Sequence, residues 1–345
     1  MTGDTWRPSR PAVGITRRLL LPTLGCLALP GTAAAAEPVR IGQATTSLSF
    51  LPVWAARAMG SFPAQGLALT WAALPGGDPT ALAALDSGDI DLAAVGGDTV
   101  LNAAGKGQPF LMVMSLMSRV TLDLVVSKAF LARTGVAASD PLEKRLATLK
   151  GAVIGVSAVG GAQDRAARWL AGRAGLDVKT GVQVAMVGGP PALQAALENG
   201  RIDAFVLSPP EAQVAEAGSY GTGLVSFGRD FPELADLPFL VLVARSPVDP
   251  AAADRTTRGI RALRSASDAV QADPGKAAAL IGQQFFPRVP LPVVAAAVEA
   301  MRPGLADGGR FGPAGIAALV RFSGAPALAG TGEGTLWTNH FNGPG

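Results

Sequence analysis

One sixteen-residue stretch occurs twice in the chain, and this repeat limits the possible folds more than any other feature. Residues 76–91 read GGDPTALAALDSGDID and residues 188–203 read GGPPALQAALENGRID, with nine identical positions and no gap. The copies start 112 residues apart, whereas the units of solenoid and propeller proteins are about 20–50 residues long. The repeat therefore predicts two similar domains.

Each copy also predicts the same alternation of strands and helices. Proline in the first turn and glycine after the last turn mark helices, and short apolar runs mark strands. The predicted strands are 39–43, 67–74, 90–95, 110–119, 152–156, 182–187 and 202–207. The predicted helices are 52–59, 79–87 with Asp78 as its cap, 162–173 and 191–198. This alternation predicts an α/β fold with mainly parallel sheets that carry helices on both faces.

The Gly-x-Ile-Asp sequence at the end of each copy is expected to be a structural corner. Gly88 and Gly200 can end a helix, and Asp91 and Asp203 can accept hydrogen bonds from nearby backbone amides. A catalytic role for the two aspartates is the alternative. Ligands of open α/β sheets bind beyond the carboxyl ends of the strands, so the candidate site is expected at the opposite end.

Small and hydroxyl-bearing residues follow the predicted strands at that opposite end in both copies. Backbone N–H groups of such loops, and of the helices that follow them, can hold an anion without any basic side chain. The alternative for any single loop is ordinary turn chemistry. The loops are TTSLSF at 45–50, GGDT at 96–99, the strand end at 115–119, SAVGGA at 157–162 and SPPEA at 208–212.

Composition excludes several classes of function. A single cysteine, Cys26, rules out a disulfide framework, and a single histidine, His340, gives little support to a Ser/His/Asp triad. The sequence shows no phosphate-binding loop, dinucleotide fingerprint or metal-ligand spacing, so no cofactor and no metal are expected. Beyond residue 36 the chain has 25 basic and 25 acidic residues. We therefore expect no nucleic-acid partner.

The first 36 residues resemble an export signal. Basic residues end at Arg17 and Arg18, an apolar stretch follows, and alanines before Glu37 offer a cleavage site. A membrane anchor is the alternative, but prolines and a glycine interrupt the apolar run. The double arginine resembles the twin-arginine route, and Cys26 lies in a poor match to a lipoprotein motif. We expect a periplasmic protein, with lipid anchoring less favoured than cleavage.

Several stretches in a consistent order resemble a known family. They are VRIG at 39–42, LPVWAARAMGSFPAQGLAL at 51–69, ALAALDSGDIDLAAVG at 81–96, GKGQP at 105–109, LKGAVIGVSAVGG at 149–161, AALENGRIDAFVLSPPE at 195–211 and LWTNHF at 336–341. Together they resemble the periplasmic substrate-binding proteins of ABC importers for sulfonate, taurine and nitrate-like solutes.

The resemblance implies a two-lobed type II periplasmic binding protein fold. Residues 38–122 and 243–340 would form the first lobe, and residues 123–242 the second. Strands at 121–127 and 238–244 would link the lobes as a hinge, and four helices after Asp249 would complete the first lobe. By position, the implied ligand contacts are Thr46, Ser47, Ser49, Gly97, Asp98, Thr99, Ser115, Ser157, Gly160, Gly161, Ser208 and Glu211.

The implied function is capture of a small organic solute and its delivery to an ABC permease in the inner membrane, by a monomer. Sulfonates, taurine-like zwitterions and related anions are the implied ligands. However, the carboxylates of Asp98 and Glu211 would repel a bare anion and favour an amine or a zwitterion, unless Arg119 offsets them. Phe50 is a further candidate contact, because Phe50 and Trp54 could stack on a ligand ring; core packing is the alternative for both.

Two other classes of protein remain open. An enzyme of cofactor biosynthesis could use the same fold, although an export signal suits a binding protein better. A solute sensor for a receptor could use the same two lobes.

Overall fold

The chain folds into two sheets of five strands each, with helices packed against them. The computed structural model describes residues 35–157, 159, 162–305, 307–325, 328 and 330–343. All but the last two residues of the predicted export signal therefore lie outside the described residues. The described part from Ala36 onward belongs to one compact unit.

Nine of the ten strands occur close to the predicted positions, whereas the strand at residues 221–226 is not among those predicted. In chain order they are β1 Glu37–Gln43, β2 Leu67–Ala73, β3 Leu92–Gly96, β4 Phe110–Met117, β5 Asp123–Ser127, β6 Val153–Val156, β7 Gln183–Met186, β8 Ala204–Leu207, β9 Gly221–Ser226 and β10 Leu240–Arg245.

The helices separate most of these strands and form the carboxyl-terminal part of the chain. They are α1 Leu51–Ala58, α2 Asp78–Ser87, α3 Gly97–Ala104, α4 Lys128–Thr134, α5 Leu142–Ala147, α6 Ala162–Arg173, α7 Pro190–Glu198, α8 Glu211–Ala217, α9 Phe227–Asp230, α10 Pro250–Ala272, α11 Pro274–Phe285, α12 Leu291–Met301 and α13 Pro313–Ser323. None of these described helices is both long and apolar enough to cross a bilayer.

The two sheets have the same topology. Their strand orders are β2-β1-β3-β10-β4 and β7-β6-β8-β5-β9. In each sheet the first three strands are parallel, and the fourth is antiparallel to both its neighbours. The predicted α/β fold with two mainly parallel sheets is confirmed. We call the first sheet with its packed helices lobe I, and the second sheet with its packed helices lobe II.

The reversed strand of each sheet is the strand that the chain enters after crossing between lobes. The chain leaves β4 of lobe I and enters β5 of lobe II, and later leaves β9 and returns to lobe I through β10. Two crossings close together can act as a hinge, because few residues need to change conformation for the lobes to move.

The repeated corner has the same contacts in both lobes. The carboxylate of Asp91 accepts a hydrogen bond from Arg40 N at 2.7 Å, and that of Asp203 accepts one from Val153 N at 3.0 Å. In return, Asp91 N and Asp203 N each donate to the carbonyl of the same partner. Each aspartate thus fixes the start of its strand to the neighbouring strand. The prediction that the corner is structural is confirmed.

The four predicted helices at the carboxyl end are confirmed, and they pack mainly on lobe I. Helix α10 packs against α1, and α13 packs against α3. Helix α12 also contacts α8 of lobe II. The carboxyl-terminal helices therefore contact both lobes rather than lobe I alone.

Two local expectations differ from the structure. Gly77, not Asp78, precedes the first residue of α2, and Asp78 already belongs to the helix. Trp54 is 3% exposed and packs against Trp71, Phe285 and Phe286. Core packing, rather than stacking on a ligand, therefore describes Trp54.

Candidate functional site

A cleft of about 840 Å³ lies between the two lobes, at the carboxyl ends of the parallel strands. The loops after β1 and β3 contribute the lobe I side, and the loops after β6 and β8 contribute the lobe II side. Ligand sites of α/β proteins commonly occur at this edge of the sheets. Eight predicted contacts line the cleft: Thr46, Ser47, Ser49, Phe50, Asp98, Ser157, Ser208 and Glu211.

A chain of four hydroxyl groups joins the lobes beside the cleft. Ser47 Oγ donates to Ser49 Oγ at 3.1 Å, and Thr121 Oγ1 donates to the same oxygen at 3.1 Å. Thr121 Oγ1 also lies 3.3 Å from Ser208 Oγ of lobe II. Thr121 precedes β5 at the first crossing between lobes. These four hydroxyls therefore connect a loop of lobe I to a loop of lobe II through the first crossing between the lobes.

An ion pair joins the lobes at a second position. Arg165 Nη2 on α6 lies 2.9 Å from Asp98 Oδ2 on α3. The Asp98 side chain is 13% exposed and that of Arg165 is 53% exposed. Arg165 therefore supplies the positive charge near Asp98. Arg119, the residue expected to offset the carboxylates, instead packs its side chain against Gly228 and does not line the cleft.

Asp78 contributes a carboxylate from the first turn of α2. Its Oδ2 accepts hydrogen bonds from Gly96 N at 3.2 Å and from Thr99 Oγ1 at 2.8 Å. Burial raises the pKa of Asp78, and the nearby charge of Asp98 raises it further, while the hydrogen bond from Thr99 lowers it. The Asp78 carboxylate is thus partly shielded from water in the wall of the cleft, but it keeps two hydrogen-bond donors.

Glu211 contributes a second carboxylate from the first turn of α8. Gln194 Nε2 donates to Glu211 Oε2 at 2.7 Å, and Tyr220 Oη donates to Gln194 Oε1 at 2.6 Å. Burial raises the pKa of Glu211, and the Gln194 hydrogen bond opposes this rise. The neutral amide of Gln194 is oriented by Tyr220, so the position of the Glu211 carboxylate is fixed by lobe II itself.

Aromatic and proline side chains form much of the remaining wall. Phe239 and Phe322 meet edge to face with ring centroids 6.4 Å apart. The peptide bond between Pro209 and Pro210 is cis and lies in the loop before α8. The apolar lining residues are Leu48, Phe50, Leu122, Ala166, Trp169, Pro190, Pro191, Leu207, Pro209, Pro210, Val214, Phe239, Leu240, Phe286, Val289 and Phe322. The wall suits an organic body rather than a bare inorganic ion.

Three predicted contacts do not line the cleft. Gly97 is buried, and a Cβ there would collide with the carbonyl oxygen of Pro238. Thr99 uses its hydroxyl on Asp78, and Ser115 is 2% exposed within β4. Gly97 thus allows a close approach of two backbone segments, Thr99 supports a neighbouring carboxylate, and Ser115 is part of the core. Gly160 and Gly161 lie outside the described residues.

Sequence reasoning missed Asp78, Gln163, Arg165, Trp169 and Gln194 as lining residues. Asp78 had a visible signal, since an acidic residue beside proline begins the repeated helix after a strand. Arg165 and Gln194 had none, because they reach the cleft only when helices of lobe II pack in place. Within the described residues, no group of three or more His, Cys, Asp and Glu side chains could hold a metal ion.

Two sheets of matched topology, joined by two crossings around a lined cleft, define the two-lobed class of α/β binding folds. Residues 33–282 match the NMT1-like family. The chain therefore belongs to the NMT1-like family. No curated protein matches the chain in sequence.

Solved structures of three bacterial proteins show the same fold. A protein from Bordetella bronchiseptica RB50 has a TM-score of 0.70 at 22% identity, covering 89% of this chain and 96% of its own. The alkanesulfonate-binding protein SsuA from Xanthomonas axonopodis pv. citri, bound to MOPS, scores 0.62 at 20% identity, with 85% and 92% coverage. The periplasmic nitrate-binding protein NrtA from Synechocystis PCC 6803 scores 0.57 at 15% identity, with 75% and 69% coverage. The resemblance to this group of binding proteins is confirmed.

Proposed function

We propose that the protein is exported to the periplasm, captures a small organic solute in the cleft and delivers it to an ABC permease. The cleft between two hinged lobes is the observation that carries this proposal. A solute held by loops of both lobes favours their closure, because it binds the closed form more tightly than the open one. The predicted signal at residues 1–36 supports export.

Sulfonates, taurine-like zwitterions and related anions are the solutes that the resemblance implies. The relatives named above include an alkanesulfonate-binding and a nitrate-binding protein. The hydroxyls of Thr46, Ser47 and Ser157 line the cleft and can donate hydrogen bonds to the oxygens of such solutes. The described lining residues thus combine these donors with an organic-sized space.

We propose binding without chemical conversion. Within the described residues, the hydroxyls of Ser47, Ser49 and Ser208 bond in a row with Thr121 and not to a carboxylate or an imidazole. His340 is not among the residues that line the cleft. A nucleophilic hydroxyl needs an adjacent base to become reactive, so this arrangement favours a binding protein over an enzyme.

The substitution Ser157→Trp tests whether the cleft is the binding site. A thermal-shift screen of sulfonates, nitrate-like anions, amines and heterocycles first identifies a solute, because a ligand of the folded state raises its stability. Calorimetry on the variant should then show at least a tenfold loss of affinity, because the indole occupies the cleft. The matched control, Ser265→Trp, lies on the exposed face of α10 and should bind normally.

Two outcomes would contradict the proposal. Unchanged affinity in Ser157→Trp would show that the solute binds elsewhere, and conversion of the solute to a product would show an enzyme. Delivery has a separate measurement, the uptake of the labelled solute by cells with and without the gene. Equal uptake by the two cell types would contradict the proposed role in transport but not the proposed binding of the solute.

A further inference from the structure

The charged residues of the cleft are mostly acidic. The described lining includes the three carboxylates of Asp78, Asp98 and Glu211 and the single guanidinium of Arg165. Arg165 is paired with Asp98 across the cleft. Asp78 of lobe I and Glu211 of lobe II form no salt bridge within the described residues, although the charge of Arg165 lowers the pKa of Asp78.

Neutral groups hold both remaining carboxylates. Asp78 accepts from a backbone amide and a hydroxyl, and Glu211 accepts from the side-chain amide of Gln194. These donors fix the carboxylates but supply no positive charge. Burial raises the pKa of each, which means that a nearby cation would stabilise the ionised form.

The same carboxylates also weaken the case for a bare anion. The positive end of a helix can bind an anion, but α2 and α3 carry Asp78 and Asp98 in their first turns. These carboxylates place negative charge at the helix ends that would otherwise attract an anion. A sulfonate or nitrate placed among three carboxylates would be repelled by each of them.

The wall around these carboxylates is apolar. Phe239 and Phe322 line lobe I, and Trp169, Pro190 and Pro209 line lobe II. Low polarity strengthens any charge interaction inside the cleft. It also favours a solute with a ring-sized hydrocarbon part over a small hydrophilic ion.

We infer that the solute of this cleft is an organic cation, in which a protonated nitrogen on an apolar body interacts with Asp78 of lobe I and Glu211 of lobe II. The inference rests on the proposed function, since it assigns the chemistry of the solute that the cleft captures. A taurine-like zwitterion satisfies the charge requirement but not the apolar wall. A sulfonate or nitrate without a protonated nitrogen does not satisfy the charge requirement. If it is small, it also leaves the apolar wall without a hydrocarbon partner.

Solutes with one body and different head groups test the inference. Calorimetry at pH 7.5 on the mature protein compares 2-phenylethylammonium, 2-phenylethanol and 2-phenylethanesulfonate, with taurine and ethanesulfonate as a second set. We expect 2-phenylethylammonium to bind at least tenfold more tightly than the alcohol and the sulfonate. Within the second set, taurine should bind more tightly than ethanesulfonate.

Variants from both lobes then identify the groups responsible. Asp78→Asn and Glu211→Gln should each reduce the affinity for the ammonium at least tenfold while leaving that for the alcohol within twofold. Glu299→Gln is the matched control, because Glu299 is exposed on α12 and pairs with Arg302 away from the cleft. Circular dichroism confirms that each variant is folded, and the variant from the other lobe provides an independent test if one is not.

The outcomes separate this inference from the proposed function. If 2-phenylethanesulfonate binds as tightly as the ammonium, or if the ammonium does not bind, the inference is wrong. If both carboxylate variants keep full affinity for the ammonium, it is also wrong. Sulfonate binding that Ser157→Trp abolishes would leave the proposed function intact. If the protein binds the ammonium but cells with and without the gene take it up equally, the inference stands and the proposed delivery to a permease is wrong.

Discussion

Acidic residues in this protein have different roles that depend on where the fold places them. Asp91 and Asp203 bond to backbone amides at the two corners, whereas Asp78 and Asp98 line the cleft. Asp123 begins β5, where the chain enters lobe II. Residue type alone does not distinguish these roles. The groups that each carboxylate contacts in the fold distinguish them.

Asp123 predicts a dependence of stability on pH. Burial raises its pKa to about 7, against the lowering effects of the Ser226 hydroxyl and the charge of Arg229. An aspartate in the unfolded chain has a pKa of about 3.9. A carboxyl whose pKa is raised by folding contributes stability below the unfolded pKa, and this contribution is lost as the pH rises through the folded pKa.

Asp123→Asn should therefore be more stable than the native protein at pH 8 by about 1 kcal/mol or more. The advantage should shrink toward pH 5, because the native carboxyl is then protonated. Urea unfolding at pH 5, 6.5 and 8 measures this difference, with Asp268→Asn on the exposed face of α10 as control. A constant difference between native protein and variant across this range would contradict the role of burial.

Thr121 predicts an effect on both stability and solute binding. Thr121→Val keeps the shape of the side chain and removes the hydroxyl that joins Ser49 to Ser208. We expect a loss of about 0.5–1.5 kcal/mol in the free energy of unfolding, together with weaker binding, because the link spans the lobes. Thr257→Val is the control, since the hydroxyl of Thr257 donates to Ala253 O within α10, away from the cleft. Binding equal to that of the control would show that the link does not stabilise the closed form.

At the scale of elements, close packing rather than ligand contact accounts for one of the glycines expected in the site. Gly97 begins α3, and its amide donates to Phe239 O at 2.9 Å. An added Cβ would meet the backbone of Pro238, which cannot move aside as a side chain could. Helix α3 and the start of β10 can approach this closely only because residue 97 has no side chain.

Gly97→Ala is therefore expected to lower the free energy of unfolding by about 1–3 kcal/mol. The folded fraction should bind the solute with unchanged affinity, because Gly97 does not line the cleft. Gly105→Ala at the other end of α3 is the matched control, as its Cβ would meet only ordinary contacts at 3.5 Å. Equal denaturation midpoints for the two variants would contradict the packing argument.

The sequence contains enough local information to predict most elements but not the full cleft. The repeated segment predicts β1 to β3 and β6 to β8 because proline, glycine and apolar runs act locally. Strand β9 has no clear signal in the sequence, since GTGLVS contains two glycines and glycine is disfavoured in strands. Arg165 meets Asp98 from 67 residues away in the chain, so no local pattern could reveal their pairing.

At the scale of the whole molecule, the two lobes also contact each other away from the two crossings of the chain. Arg165 and Asp98 connect α6 to α3, and α12 contacts α8. Such contacts exist only in conformations where the lobes are close together. They stabilise closure without a solute, and so they influence how tightly the solute appears to bind.

A double-mutant cycle measures the ion pair's contribution to closure. Asp98→Asn and Arg165→Gln, alone and combined, should give a coupling of about 0.2–1 kcal/mol in solute affinity, because the pair is partly exposed. The coupling should fall in high salt. The same cycle on Glu299 and Arg302, a pair within α12, should give no coupling in affinity. Zero coupling for Asp98 and Arg165 would show that the pair does not favour closure.

The position of β10 between β3 and β4 also determines the order in which the lobes can be completed during synthesis. All strands of lobe II are available once the ribosome has made residue 226, because they are contiguous in the chain. The sheet of lobe I has a gap between β3 and β4 until residues 240–245 emerge. The lobe that begins first is therefore finished last, and it keeps unpaired strand edges throughout the synthesis of the other lobe.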